Sequence, residues 1–238
     1  MLKILSMLVK GALLSAPLIA SETLPLAEHA FHQGAFTYGS SPIPQGMLDP
    51  QLLDEFMPFI RAEITREFTH QEDSRTHRDT LHYGFNFFKM LSGDFSYDSP
   101  PEFLQHLGTH ICYAFGHEPP AEFTNIILSV YDKGFYLEPH VDVSIKDLYG
   151  NAPFYFGERV YGIVIEPDPT GHLYFSKWEG GGLVPPLDIE SIYSVEEQAG
   201  TIFCLEGDFR QTPYFHAVSP VSNHRISITF RTVEKVDR

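Results

Sequence analysis

Between residues 51 and 68 the apolar side chains Leu52, Leu53, Phe56, Met57, Phe59, Ile60 and Ile64 recur every three or four positions, the period of one helix face. Asp49 precedes the run and Pro50 opens it, so a carboxylate can accept the free N–H groups of a first turn that proline tolerates. The pattern predicts a first helix there. A second is predicted from Ser99-Pro100-Pro101-Glu102, with Ser99 as cap, through Leu104, Leu107, Ile111 and Tyr113 to about Gly116. Beyond residue 125 the texture changes to short β-branched and aliphatic runs separated by Gly and Pro. Strands are predicted over 125–131, 135–140, 159–165, 172–176, 201–205 and 225–233, with a turn at Asp132-Lys133-Gly134. Residues 21–49 read as an irregular arm. Residues 69–84 read as a polar loop that turns aromatic at Tyr83 and leads into a strand or hairpin. Gly180-Gly181-Gly182 with Pro185-Pro186 reads as a loop. Helices followed by many short strands predict an α+β, mainly β domain: a jelly-roll double sheet, the double-stranded β-helix, flanked by N-terminal helices.

Composition narrows the class. The 238 residues are 43% hydrophobic, enough for one large globular domain over 25–238. Sixteen Lys and Arg against 31 Asp and Glu leave a charge of −15, a field that repels phosphate backbones but does not forbid a local basic groove. The two cysteines, Cys112 and Cys204, sit among apolar neighbours and read as buried free thiols, which favours a reducing, cytoplasmic setting. Residues 1–24 stand apart. Lys3 followed by an apolar stretch from Ile4 to Ala20 reads as a signal or organelle-targeting segment or a flexible tail, and Lys10 makes it too broken for a stable membrane span.

Chemistry concentrates near the C-terminus. In a strand alternate side chains share a face, so Arg225, Ser227, Thr229 and Arg231 point one way and Ile226, Ile228 and Phe230 the other. Two cations and two hydroxyls on one face suit a polar interior that binds an anion, and an inward Arg225 left without one would be costly. His140 and Asp142, also two apart, share a face of an extended segment. With His216 they supply the donors of a 2-His-1-carboxylate site for non-haem Fe(II) with open coordination positions. His106 and His110, four apart on the second predicted helix, lack the flanking Glu of a metal-binding helix and read as a partly buried face.

The stretch SVYDKGFYLEPHVD (129–142), the run GDFRQTPYFHAVSP and the closing RISITFR together resemble the AlkB family of Fe(II)/2-oxoglutarate dioxygenases. The similarity spans roughly residues 78 to 234, and Tyr131 stands nine residues before His140, as in that family. The resemblance implies that His140, Asp142 and His216 hold iron and are the catalytic centre. It implies that Arg225 grips the distal carboxylate of 2-oxoglutarate with Tyr131 donating to it, that Ser129 and Ser227 lie near the cosubstrate's other end, and that Arg231 braces Asp142 or the cosubstrate. Fe(II), 2-oxoglutarate and molecular oxygen are the cofactors implied, and oxidative demethylation or stable hydroxylation the outcome. Arg78 and Tyr83 match a stretch near the substrate in the family, with loop solvation and core packing as the plain alternatives. Ser144 stands where members that repair methylated bases often carry an acidic residue, and Trp178 comes too late in the chain to be an aromatic lid. Alkylated nucleic acid is therefore one substrate class; a protein or small molecule is the other, favoured by Ser144 and the charge. A non-catalytic binding scaffold and a cupin-like isomerase or lyase complete the alternatives. An intact triad with Arg225 argues against the scaffold, and the last strand's Arg-x-Ser-x-Thr-Phe-Arg has no purpose in a cupin-like site.

Overall fold

Helix α1 (Pro50–Ile64) begins as the pattern predicts: the Asp49 carboxylate accepts from Gln51 N at 2.7 Å and Leu52 N at 3.4 Å. It stops short of residue 68 and buries Leu53, Phe56 and Ile60. Helix α3 (Glu102–Ala114) follows the short α2 (Phe87–Leu91) and has no side-chain cap. Ser99 is not its cap, because Pro101 occupies the N-cap position and its carbonyl accepts from Leu104 N and Gln105 N. The helix closes at Phe115, where Gly116, at φ +71°, takes the left-handed turn that lets His117 N bond back to Cys112 O at 2.9 Å.

The computed structural model describes residues 43–65, 69–70, 76–142, 154–180, 185, 189–210 and 212–235, all within one compact unit, Phe31–Arg238. The arm before residue 43, including segment 1–24, and Ser144 lie outside the described residues. No described helix is long and apolar enough to cross a membrane.

Two antiparallel sheets form the body. The larger contains β1 (Gln45–Met47), β2 (Thr69–His70), β4 (Asp79–Phe85), β5 (Tyr97–Asp98), β6 (Asn125–Asp132), β9 (Val160–Glu166), β12 (Thr201–Leu205) and β14 (His224–Arg231). Its order is β1-β12-β9-β14-β6-β4-β2, with β5 on β4. The smaller runs β11 (Ser191–Ser194), β10 (Leu173–Lys177), β13 (Tyr214–Val218), β7 (Tyr136–His140), β3 (Thr76–His77). A third ribbon pairs β8 (Phe154–Phe156) with β15 (Val233–Lys235).

Alternation along the large sheet builds a core on each side. Ile126, Leu128 and Val130 of β6, Tyr161, Ile163 and Ile165 of β9, Ile202 and Cys204 of β12, and Ile226, Ile228 and Phe230 of β14 pack with Leu104, Leu107, Ile111 and Phe56 of the helices. The opposite faces of β9 and β12, with Val160, Val164, Phe203 and Leu205, meet Leu173 and Phe175 of the smaller sheet. Each fully buried side chain of this size contributes on the order of 2 kcal/mol. Cys112 and Cys204 are both buried and unpaired, and burial raises the Cys112 thiol to about 11, so it stays protonated. The architecture is the helix-flanked, mainly β double sheet that the pattern predicts.

Candidate metal and anion site

Strands β7 and β13 are neighbours, and His140 and His216 are direct partners across that ladder. Their ring centroids lie 4.2 Å apart. Asp142 follows where β7 ends, two positions on from His140. The three residues each present a ligand atom within 4.8 Å of the other two, and among the described residues no other His, Cys, Asp or Glu group does so. His216 Nε2 stands 3.8 Å from Asp142 Oδ2. His140 Nδ1 lies 2.8 Å from Glu138 O; a carbonyl can only accept, so Nδ1 carries the proton and Nε2 keeps a free lone pair. Asp142 Oδ2 is buried and accepts no hydrogen bond. Two neutral imidazoles and a carboxylate oxygen with nothing to accept fit a divalent iron ion. His106 instead pairs with Glu102 at 3.7 Å, and His110 stands edge-on to Phe56.

Burial, then proximity to His140, lowers His216 to about 3, and burial likewise lowers His140. Burial alone would raise the Asp142 carboxyl. Arg231 foremost, then His216, His140 and Arg210, hold it well below the usual carboxylate range. Arg231 Nη2 lies 3.6 Å from Asp142 Oδ2, and Arg210 Nη2 donates to the Asp142 carbonyl at 3.4 Å. Arg231 is itself lowered, by burial and, after the opposing pull of Asp142, by the neighbouring charges of Arg78 and Arg210. The Nε atoms of Arg78, Arg210 and Arg231 are all buried and donate to nothing. Two guanidinium groups at one carboxylate, with a third whose charge reaches His140 and Arg231, and unused donors on all three, call for a further anion.

Strand β14 carries the predicted inward face. Arg225 stands opposite Tyr131, and Ser227 opposite Ser129, which in turn faces Thr80, so three buried hydroxyls cross the sheet in one row. Arg225 is buried and already has an anion inside the fold, so the cost of an unpaired inward cation does not by itself call for a ligand there. Its Nε and Nη2 donate to Glu197 Oε2 and Oε1 at 2.8 and 2.7 Å, and its Nη1 to Ser227 Oγ at 2.9 Å. Glu197 raises Arg225 against the opposing effect of burial. Arg78 reaches the site and donates to the Tyr131 hydroxyl at 3.0 Å. Tyr83 does not: it packs in the helix-side core and its hydroxyl meets the Glu63 carboxylate. Arg210, Glu197 and His82, the last lowered to about 3 by burial and then by Arg78 and Arg231, were not singled out by the sequence. Arg210 lies in GDFRQTPYFH, six residues before His216, and was the one with a signal within reach.

No protein-family profile matches the chain, and no curated protein matches it. Among solved structures, OsALKBH1 superposes with a TM-score of 0.53 at 15% identity, over 79% of this chain and 97% of that one. A prolyl hydroxylase from Trichoplax adhaerens, in complex with a hypoxia inducible factor oxygen degradation domain peptide fragment, gives 0.50 at 12% identity, over 78% and 79%. The fold is the double-stranded β-helix. In this double-stranded β-helix the smaller sheet carries His140 and His216, while the larger brings Arg225 and Arg231 on β14 and Tyr131 on β6.

Proposed function

We propose that the chain is an Fe(II)- and 2-oxoglutarate-dependent dioxygenase of AlkB type. The observation that carries this reading is the pairing of a buried two-histidine, one-carboxylate group with three arginines whose Nε donors are unused. The double-stranded β-helix, shared with an AlkB homologue and a prolyl hydroxylase, supports it.

His140, Asp142 and His216 would hold the metal and leave positions for cosubstrate and oxygen. Bound there, Fe(II) with 2-oxoglutarate and oxygen supplies hydroxylation of a C–H bond with release of succinate and carbon dioxide, and a hydroxylated N-methyl group falls apart to formaldehyde. The chain's own residues prepare that chemistry. The Glu138 carbonyl fixes the His140 tautomer. Burial keeps both imidazoles neutral, and Arg231 with Arg210 keeps Asp142 ionised, so no ligand needs to lose a proton when metal arrives. Arg78, Arg210 and Arg231 attract a dicarboxylate to a site beside Phe175, whose ring centroid lies 6.3 Å from that of His216 and 5.6 Å from that of Phe209.

The product is a demethylated or hydroxylated substrate, alkylated nucleic acid in the AlkB-type reading. The charge of −15 favours a second substrate class, a protein or small molecule. Succinate release from anaerobically loaded protein tests both, run without substrate, with methylated oligonucleotides and with a small-molecule extract. Oligonucleotide-dependent succinate and formaldehyde support demethylation. Stimulation by extract alone supports the second class. No succinate from protein that binds iron overturns the enzymatic reading.

A further inference from the structure

We infer that Arg78, together with Tyr131, receives the distal carboxylate of the 2-oxo acid, in place of Arg225. The inference rests on the proposed dioxygenase reading and specifies its cosubstrate site.

Arg225 is closed to a ligand. Glu197 meets it at two points, and the two side chains are 2% and 0% exposed. Glu197 Oε1 also accepts from Leu173 N at 2.8 Å, so the carboxylate is tied to the smaller sheet as well as to β14. An incoming carboxylate would have to evict Glu197 and leave the Leu173 N–H and a buried anion without partners, or else crowd two anions against one cation. The remaining nitrogen, Nη1, donates to Ser227.

Arg78 is open. Its Nη1 donates to the Tyr131 oxygen at 3.0 Å, so that oxygen accepts and the phenol proton is left to donate elsewhere. Its Nε is buried and donates to nothing. The Tyr131 ring lies within cation–π distance of both guanidinium groups, 5.9 Å from Arg78 Cζ and 5.3 Å from Arg225 Cζ, so the open arginine stands at the same tyrosine as the closed one. Arg210 and Arg231 are both engaged on Asp142, which leaves them to the metal end of a bound acid. A guanidinium nitrogen and a phenol proton converging beside one ring make a receptor for a carboxylate.

The test is calorimetric titration of Mn(II)-loaded protein with 2-oxoglutarate and with 2-oxobutanoate, which lacks the distal carboxylate. The proteins are wild type, Arg78→Met, and the paired replacement Glu197→Met with Arg225→Met, each checked for folding by circular dichroism. Wild type should prefer 2-oxoglutarate. Arg78→Met should lose about 10- to 100-fold in 2-oxoglutarate affinity, the worth of a charged hydrogen bond, and keep its 2-oxobutanoate affinity within about twofold. The paired replacement should keep 2-oxoglutarate affinity within about threefold. Unchanged selectivity in Arg78→Met overturns the inference, and so does loss of 2-oxoglutarate binding in a folded paired variant. Should the pair fail to fold, the selectivity of Arg78→Met decides alone. Wild type that binds 2-oxoglutarate with no preference over 2-oxobutanoate overturns the inference and spares the dioxygenase reading; wild type that binds neither acid removes both.

Discussion

His140 and His216 face each other across one rung of the β7–β13 ladder, with ring centroids 4.2 Å apart. That rung, not proximity in sequence, assembles the candidate metal site, and Asp142 completes it from the end of the same strand as His140. Removing either imidazole leaves two donors. His140→Ala or His216→Ala should weaken Fe(II) or Mn(II) binding by more than about 100-fold, beyond the range for outer-shell changes. At about 100 times its dissociation constant, metal should stabilise wild type by about 2.7 kcal/mol and these variants by almost nothing, as read from thermal melts with and without metal.

The Glu197–Arg225 pair joins two chain segments inside the fold, and its loss should be asymmetric. Glu197→Ala strands a buried guanidinium and should cost about 3–5 kcal/mol, whereas replacing both residues with methionine should cost much less. Urea denaturation of the two variants beside wild type measures the difference. Equal costs would mean that the pair is not desolvated in solution.

Asp168 is a second buried anchor, 2% exposed. Its carboxylate accepts from the backbone N–H groups of Thr170, Gly171, Ser222 and Asn223, and so fastens the turn after β9 to the turn before β14. Asp168→Ala should destabilise by about 2–4 kcal/mol, since buried donors lose their acceptor.

The same carboxylate predicts a pH effect. Burial pushes Asp168 up, but hydrogen bonds from Ser222, Thr170 and Gly171 win and hold it below the usual range. A depressed carboxyl stabilises the fold fully above its unfolded value, about 3.9, and that stability is lost as pH falls from there toward the folded value. Asp168→Asn should therefore show a shallower loss of stability than wild type as pH falls below about 4. Chemical denaturation at a series of acid pH values reads the slope, and parallel slopes would contradict the assignment.

Gly162 sits on β9 against the Phe203 ring, and a Cβ there would lie 2.1 Å from Phe203 Cζ. Phe203 is 3% exposed and cannot swing into solvent. Gly162→Ala should cost about 1–3 kcal/mol by overpacking, seen as a lower urea midpoint with an unchanged slope.

Much of this fold was legible because its elements follow short-range rules. The strand 201–205 and the Asp132-Lys133-Gly134 turn emerge where the sequence pattern places them, and the Asp49 cap does too. The Ser99 cap failed for an equally local reason, since two prolines separate it from the first helical residue and Pro101 takes the position. Tyr83 was ambiguous in sequence because one strand alternates between a core and an interior. Its parity put it with Leu81 on the helix side.

The sequence by itself determined which side chains of residues 225–231 turn inward, since the strand pleat is set by bonds between adjacent residues. It likewise determined that His140 and Asp142 point the same way. Tertiary structure decided which charges meet. Glu197 reaches Arg225 from the connection before β12, 28 residues earlier, and Arg78 reaches Tyr131 from the turn before β4, 53 residues earlier. No helical or strand period extends over such separations. Ion partners between distant segments are selected only when the two sheets close and water leaves the space between them, because only there must a buried charge find its counterpart.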